Sequence, residues 1–457
     1  MQLLDQKLYF HKDYFNSEER NGFKLFFSNT FFSWIKTSLT GADILNKLDG
    51  NKKLFEVVDE ISKEYMLPKE IVEHDVIKFC KYGIENKVIF EEKKECIEPK
   101  FDNNLKSLFI DITDACNLNC RYCNKQCVST NNAKFMELES LKTILDNLTP
   151  LSENMNIVVN ITGGEPLLHP NLEEILKSIK SYNCRIVLWT NGVLLDSKQA
   201  ILLKEYCDYI IISLDEFEEI KNDYIRGDGS FKGVLSASEM CTRYDLPFLI
   251  GITPLKYNID NLEKVIGFVK NVGSLGFIVN EPILIDSEGN NLKEHFNYDY
   301  KKIEEKNKEL GKMIAIMNSW KNNKLKHSEH EKHNIIFVRD IQRCMNNVFS
   351  LTPKLSCGAG VNELSIDVNG NIYPCHVLHS SKFLISNAKE SPVKSKPFVR
   401  TDELEDCTSC DYKIFCLGGC RAHTIFHTEE KSGKYPLCEY EKGAIENILW
   451  SPLKPVE

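Results

Sequence analysis

Short apolar runs alternate with amphipathic stretches through the middle of the chain. Ser107–Thr113 (SLFIDIT), Ile157–Thr162 (IVVNIT), Cys184–Thr190 (CRIVLWT), Tyr209–Leu214 (YIIISL), Phe248–Thr253 (FLIGIT) and Gly276–Pro282 (GFIVNEP) have the length and β-branched content of buried strands. Between them, apolar residues recur at helical spacing near Glu137–Leu148, Asn171–Tyr182, Phe231–Tyr244 and Leu262–Asn271, with a short helix after Asn191-Gly192. Strands and helices on short links predict parallel βαβ units, about six of them. In such sheets the reactive side chains collect at the C-terminal strand ends.

The flanking regions are patterned differently. Near the N-terminus KLYFH, FKLFF and FFSWI read as strands, and LTGADILNKLDG, LFEVVDEISKEY and PKEIVEHDVIKFCKYGIEN as three helices. KVIFEE is expected to be a last strand before the polar link Lys93–Asn104. Asn297–His333 is rich in lysine and glutamate, and its His327, His330 and His333 fit one face of a solvated helix better than a metal site. Beyond it, LSIDV and NIYPC flank Asn369-Gly370, which predicts a tight hairpin. The expected division is 1–95, 105–285, a helical bridge 286–343, and a cysteine-rich module 344–457.

Composition narrows the function classes. The 457 residues exceed one core and suggest about three domains at roughly 150 residues each. A net charge of −9 argues against a nucleic-acid groove or a membrane-surface patch, both of which need a basic face. No apolar run approaches ~18–20 residues, and MQLLDQKLYF lacks the basic-then-apolar order of a signal peptide, so a cytoplasmic location is expected. There thiols stay reduced, and the odd count of 17 cysteines points to metal rather than disulfides.

The cysteines fall in patterns. Cys116, Cys120 and Cys123 form C-x3-C-x2-C directly after a strand, and Cys407, Cys410, Cys416 and Cys420 form C-x2-C-x5-C-x3-C. Three thiolates on a [4Fe–4S] cube leave one iron without a protein ligand, open to an external amino-carboxylate. A zinc knuckle completed by Cys127 is the alternative at the first pattern, and a pair of zinc sites at the second.

The first pattern, with Tyr122 before the third cysteine and Gly163-Gly164-Glu165-Pro166 after the next strand, resembles the radical S-adenosylmethionine (SAM) superfamily. The resemblance implies an α/β fold, a partial (β/α)6 TIM-like barrel, in which a reduced cluster cleaves SAM to a radical that abstracts hydrogen. It implies that Gly163 and Gly164 admit the SAM amino group, that Glu165 pairs with it, and that Thr190 and Asn191 join the cofactor site. Ser213 and Asp215 in ISLDE match family positions near the ribose, with Glu216 where relatives often carry glycine, and Arg226 could pair with the SAM carboxylate.

Cys357, Cys375, Cys407, Cys410, Cys416, Cys420 and Cys438 resemble, in order and spacing, the SPASM module of peptide-modifying members. That implies two auxiliary [4Fe–4S] clusters, one on Cys357, Cys375 and Cys420, the other on Cys407, Cys410, Cys416 and Cys438. Cys344 is the candidate fourth ligand of the first, and an open iron there is the alternative. ILNKLDGNKKLFEVVDEI resembles the core of the PqqD-like, winged-helix-like leader-peptide recognition domain, which captures peptides on a sheet edge. Winged-helix DNA binding, against which the acidic segment speaks, and a plain docking or oligomerisation domain are the rivals.

Together these resemblances imply a radical SAM enzyme installing a thioether or other crosslink in a ribosomally made precursor peptide. The implied partners are the peptide's leader and an electron donor of flavodoxin or ferredoxin type, with no nucleic acid and no membrane. A carbon–carbon crosslink, an epimerisation, a sulfatase-type maturase oxidising Cys or Ser, and a non-catalytic iron–sulfur DNA-binding sensor are the alternatives.

Overall fold

The six central apolar runs do form parallel strands. The computed structural model describes residues 3–94, 103–280 apart from 126, 129, 254, 256, 259 and 260, then 337–338 and 356–450 apart from 391, with single residues at 283, 292 and 354. Cys344, the segment 297–333 and most of the expected bridge 286–343 lie outside the described residues. Among the described residues, no helix is long and apolar enough to cross a membrane.

At the N-terminus, β1 (Lys7–Tyr9), β2 (Asn16–Arg20), β3 (Phe23–Ser28), β4 (Ser33–Ser38) and β5 (Asp49–Lys53) accompany three helices. These are α1 (Leu39–Lys47), α2 (Leu54–Tyr65) and α3 (Lys69–Glu85). The Ser38 hydroxyl accepts a hydrogen bond from the Gly41 N–H, which starts α1 where the strand stops. Strands β2-β3-β4 form an antiparallel sheet, and β1 pairs with β5. KVIFEE supplies one bridge, Phe90 to Tyr9, rather than the expected strand. NSEER (β2) and DGNKK (β5) are strands without apolar alternation, because each is paired on an outer edge.

The period-two pattern of β3 sends side chains both ways. Phe26 enters a local core with Leu8, Ile35, Leu54, Val58 and Val76. Leu25 and Phe27 face the other way and join the main core of the molecule. Phe27 stacks on Tyr412 with ring centroids 6.1 Å apart. Asn16 donates to Asp411 at 2.6 Å, the Tyr412 hydroxyl to Glu18 at 3.2 Å, and Asn29 to the Cys410 carbonyl at 3.3 Å. The N-terminal sheet thus rests on the C-terminal cysteine region.

The central region runs β6 (Ser107–Thr113), α4 (Leu138–Leu148), β7 (Val158–Gly163), α5 (Leu172–Ser181), β8 (Arg185–Thr190), α6 (Ser197–Tyr206) and β9 (Tyr209–Ser213). It continues with α7 (Glu219–Arg226), α8 (Ser230–Arg243), β10 (Phe248–Ile252), α9 (Leu262–Asn271) and β11 (Phe277–Val279). A two-residue β12 (Phe337–Val338) pairs parallel to β11. Leu108, Ile110 and Ile112 of β6 pack with Leu141, Ile144 and Leu145 of α4 and Ile175 of α5. Each such buried side chain contributes about 1.5–3 kcal/mol. On the opposite face Val187, Ile211, Leu249 and Ile278, from four successive strands, touch one another.

The C-terminal hairpin is not a separate body. Its first strand, β13 (Glu363–Ile366), pairs parallel to β6 with Ser365 opposite Phe109, and β14 (Asn371–Tyr373) and β15 (Ser386–Asn387) follow antiparallel. The result, among the described residues, is one mixed ten-stranded sheet in the order β12-β11-β10-β9-β8-β7-β6-β13-β14-β15. Gly370 (φ +89°) makes the expected turn between β13 and β14.

Candidate cluster and cofactor site

The three-cysteine loop leaves β6 through a polar knot. The Thr113 hydroxyl donates to the Lys134 carbonyl at 2.8 Å and accepts from the Ala115 N–H at 3.0 Å, turning the chain out of the sheet. Beyond it the loop's two legs are stitched together, Cys116 N–H to the Val128 carbonyl (3.2 Å) and Val128 N–H to the Asp114 carbonyl (3.0 Å). The Arg121 backbone N–H donates to Ile225, its Nε to the Tyr224 carbonyl at 2.7 Å, and its guanidinium lies 3.9 Å over the Tyr224 ring. The loop is therefore fixed at both ends.

Its sulfurs sit among backbone polar groups. The Leu118 N–H approaches the Cys116 sulfur at 3.5 Å, and the Cys120 thiol lies 3.4 Å from the Arg226 carbonyl. Hydrogen bonding from the Cys127 thiol lowers Cys116 and pulls Cys123 down to about 6, with further help to Cys123 from the Lys125 N–H and ammonium. Burial pushes Cys120 up to about 11. Depressed thiols with N–H donors suit metal ligation. Among the described residues no three His, Cys, Asp or Glu side chains converge on the position of a single ion.

Gly163 and Gly164 have a packing reason to be glycine. Gly163 has φ +126°, and a methyl group there would run into the Thr113 carbonyl; one on Gly164 would meet the Ala115 carbonyl. Their close approach lets the Gly164 N–H bond Thr113 (2.8 Å) and the Glu165 N–H bond Ala115 (2.6 Å). Glu165 is buried and already engaged. Its Oε1 accepts from the Thr190 hydroxyl (2.8 Å) and Leu167 N–H (3.0 Å), and its Oε2 from the Asn191 N–H (2.8 Å). Burial raises its pKa against those hydrogen bonds. Asn191 in turn donates to the Asn117 side chain at 2.8 Å, tying this cluster to the cysteine loop.

Tyr122, Asp215 and Arg226 meet in a second buried knot. Asp215 Oδ2 accepts from the Tyr122 hydroxyl (2.6 Å) and Arg226 Nη1 (2.8 Å), and Oδ1 accepts from the Thr253 N–H (2.8 Å). Arg226 Nη1 also reaches the Tyr122 oxygen at 2.6 Å, while its buried Nε has no partner among the described residues. Ser213, at the end of β9, stays partly exposed and outside this knot. Glu216 is buried and receives Asn261 at 3.1 Å. Sequence reasoning missed Asn222, whose Oδ1 accepts the N–H groups of Asp215 (3.0 Å) and Glu216 (3.2 Å) and so shapes this turn. Its place in the strongly polar helix α7 offered no signal.

Several C-terminal thiols lie close enough to affect one another electrostatically, Cys357 with Cys375, and Cys410 with Cys407 and Cys438. The Cys416 thiol donates to buried Glu441 at 2.9 Å, and Cys420 heads the helix Arg421–Thr428. The buried Arg421 guanidinium has Cys357, Cys407, Cys416 and Cys420 around it, and burial lowers its pKa.

The chain belongs to the radical SAM superfamily, matching it over residues 110–269, and carries a segment, 33–89, that matches coenzyme PQQ synthesis protein D (PqqD). Family membership implies SAM and a [4Fe–4S] cluster. Among relatives, an uncharacterized protein of Methanocaldococcus jannaschii is 31% identical over 275 residues, covering 57% of this chain and 90% of its own. The solved structure of anSMEcpe with bound AdoMet superposes with a TM-score of 0.57 at 19% identity, covering 75% of this chain and 98% of that one. SuiB of Streptococcus suis bound to its precursor peptide SuiA gives 0.52 at 14% identity, covering 93% and 98%. At these identities the two solved structures share the fold.

Proposed function

We propose that this chain modifies a ribosomally made precursor peptide by radical SAM chemistry, installing a thioether or another crosslink. The observation that carries this reading is the union, in one chain, of a three-thiol loop at the C-terminal strand ends with a PqqD-like domain docked on the cysteine-rich region. Support comes from β4, which ends its sheet, and from the exposed Ile71 and Tyr82 on α3, an edge and an apolar surface suited to an extended leader. SuiB, similar in fold, has been seen with a precursor peptide.

In this reading Cys116, Cys120 and Cys123 would hold the cluster, which would supply the electron for reductive cleavage of bound SAM. Arg226, through its unpartnered Nε, and Ser213 have capacity left for SAM, and Glu165, whose Oε2 accepts one hydrogen bond and can accept another, is assigned to its ammonium. Thr190, Asn191, Tyr122 and Asp215 join Glu165 and Arg226 in shaping the pocket wall. Gly163 and Gly164 keep the wall close to the loop. The second thiol region is assigned to a SPASM module. Cys357, Cys375 and Cys420, with Cys344, hold one auxiliary cluster, and Cys407, Cys410, Cys416 and Cys438 the other. A flavodoxin- or ferredoxin-type protein supplies the electron.

The test is anaerobic co-expression with short peptides encoded beside the gene. Loss of a hydrogen pair from a peptide, dependent on Cys116 and on the leader, is the expected result. Equal turnover of a leaderless peptide would favour a sulfatase-type maturase, and unchanged mass with solvent deuterium an epimerase. Intact SAM after reduction with dithionite would sink the reading.

A further inference from the structure

Asp111 lies on the inner face of β6, between Ile110 and Ile112, which face the helices. A carboxylate there is expensive to bury, and the cofactor knots described above do not use it. Its partners come from two distant parts of the chain. The Lys125 ammonium, two residues beyond Cys123, reaches its oxygens at 3.0 and 2.7 Å. His379 Nε2, four residues beyond Cys375, lies 3.3 Å away, with Nδ1 2.7 Å from the Ser365 hydroxyl and the ring stacked on Tyr373 at 4.3 Å. Lys125 and Asp111 side chains are only 15% and 9% exposed, so water screens the pair weakly.

We propose that Lys125 sets how readily the cluster held by the Cys116–Cys123 loop is reduced, and that Asp111, steadied by His379, sets how much of that positive charge the loop feels. The inference rests on the cluster reading above. Adding an electron adds negative charge, which a nearby ammonium stabilises and a nearby carboxylate opposes. Lys125 follows Cys123 by two residues, so its ammonium, held by Asp111, is carried on the same loop as the thiols. His379 is held neutral by burial, so it orients the carboxylate without cancelling it. Lys125 and Asp111 are therefore positioning residues with opposite electrical signs.

A redox titration of the anaerobically reconstituted full chain, followed by electron paramagnetic resonance, tests this without any peptide. The signal to follow is the one that changes when SAM is added, which separates the open cluster from any other. Lys125→Met is expected to lower the ratio of reduced to oxidised cluster about tenfold at fixed potential, and Asp111→Asn to raise it about tenfold, about 59 mV each way for a one-electron couple. A unit charge acting through some ten ångström of protein at an effective dielectric near 20 gives this size. Lys125→Arg, which keeps the charge, should stay within twofold of wild type, and the double variant Lys125→Met/Asp111→Asn should return toward it. If Lys125→Met fails to take up iron, Asp111→Asn and Lys125→Arg still decide. Shifts of the same sign, or of less than twofold in Asp111→Asn, overturn the proposal while leaving the cluster reading intact. A wild-type protein with no SAM-responsive signal overturns both.

Discussion

Replacing Arg226 by methionine keeps the length of the side chain and removes its charge. Asp215, with no exposed side-chain surface, would lose its ion-pair partner and keep only the Tyr122 hydroxyl and Thr253 N–H. Removing one member of a buried pair costs about 3–5 kcal/mol, because the other is left charged and unpaired. At about 2–4 °C per kcal/mol, the transition of the central region should fall by roughly 6–20 °C. Thermal unfolding of the cluster-free protein is the assay, since no bound cofactor then adds its own stabilisation. Arg226→Met/Asp215→Asn leaves no unpaired charge and should recover at least half of the loss. A single variant costing under about 1 kcal/mol, or a double variant equal to the sum of the singles, would refute the idea that these groups sustain each other.

Three further outcomes follow from the same geometry. Gly163→Ala should fold poorly and bind less iron and sulfide than wild type, because the added methyl meets the Thr113 carbonyl at the root of the loop; full iron content would refute this. Phe27→Ala should destabilise by about 3–5 kcal/mol in urea unfolding, and Phe55→Ala, on the exposed side of the same domain, by much less; equal costs would show that the domain does not lean on the cysteine region. His379→Gln should flatten the fall in stability below about pH 6.5. Burial depresses the folded His379 well below the ordinary histidine value of 6.5, so the unfolded chain binds the proton first and stability drops as pH falls through that window. A wild-type slope unchanged in the variant would exclude His379 as its source.

The strands of the central sheet were legible because burial on both faces leaves uninterrupted apolar runs such as IVVNIT and YIIISL. Edge strands carry no such mark. NSEER shows charge outward, and the Asp49-Gly50 pair of DGNKK falls at the end of LTGADILNKLDG, read as a helix, although it belongs to a strand that pairs with KLY. The cysteine loop announced itself by spacing, which chemistry fixes locally. The cores of the two knots did not, since Glu165 meets Thr190 and Asp215 meets Tyr122 only through the sheet order. Lys125 and Asp111 looked like ordinary charges until β6 turned one inward and the loop laid the other across it. The pairing of β13 with β6 joins residues some 250 positions apart, and no local pattern encodes such a partner.

That pairing has a bearing on how the protein is made. Strand β6 emerges from the ribosome long before β13, so its outer row of amide and carbonyl groups remains without a neighbour while most of the remaining chain is translated. Nascent copies that stall after β11 would expose an adhesive border next to four free thiols, Cys127 among them. Expression hosts with ample chaperone capacity, or slow translation at low temperature, should therefore raise the yield of folded polypeptide more than any change to its exterior.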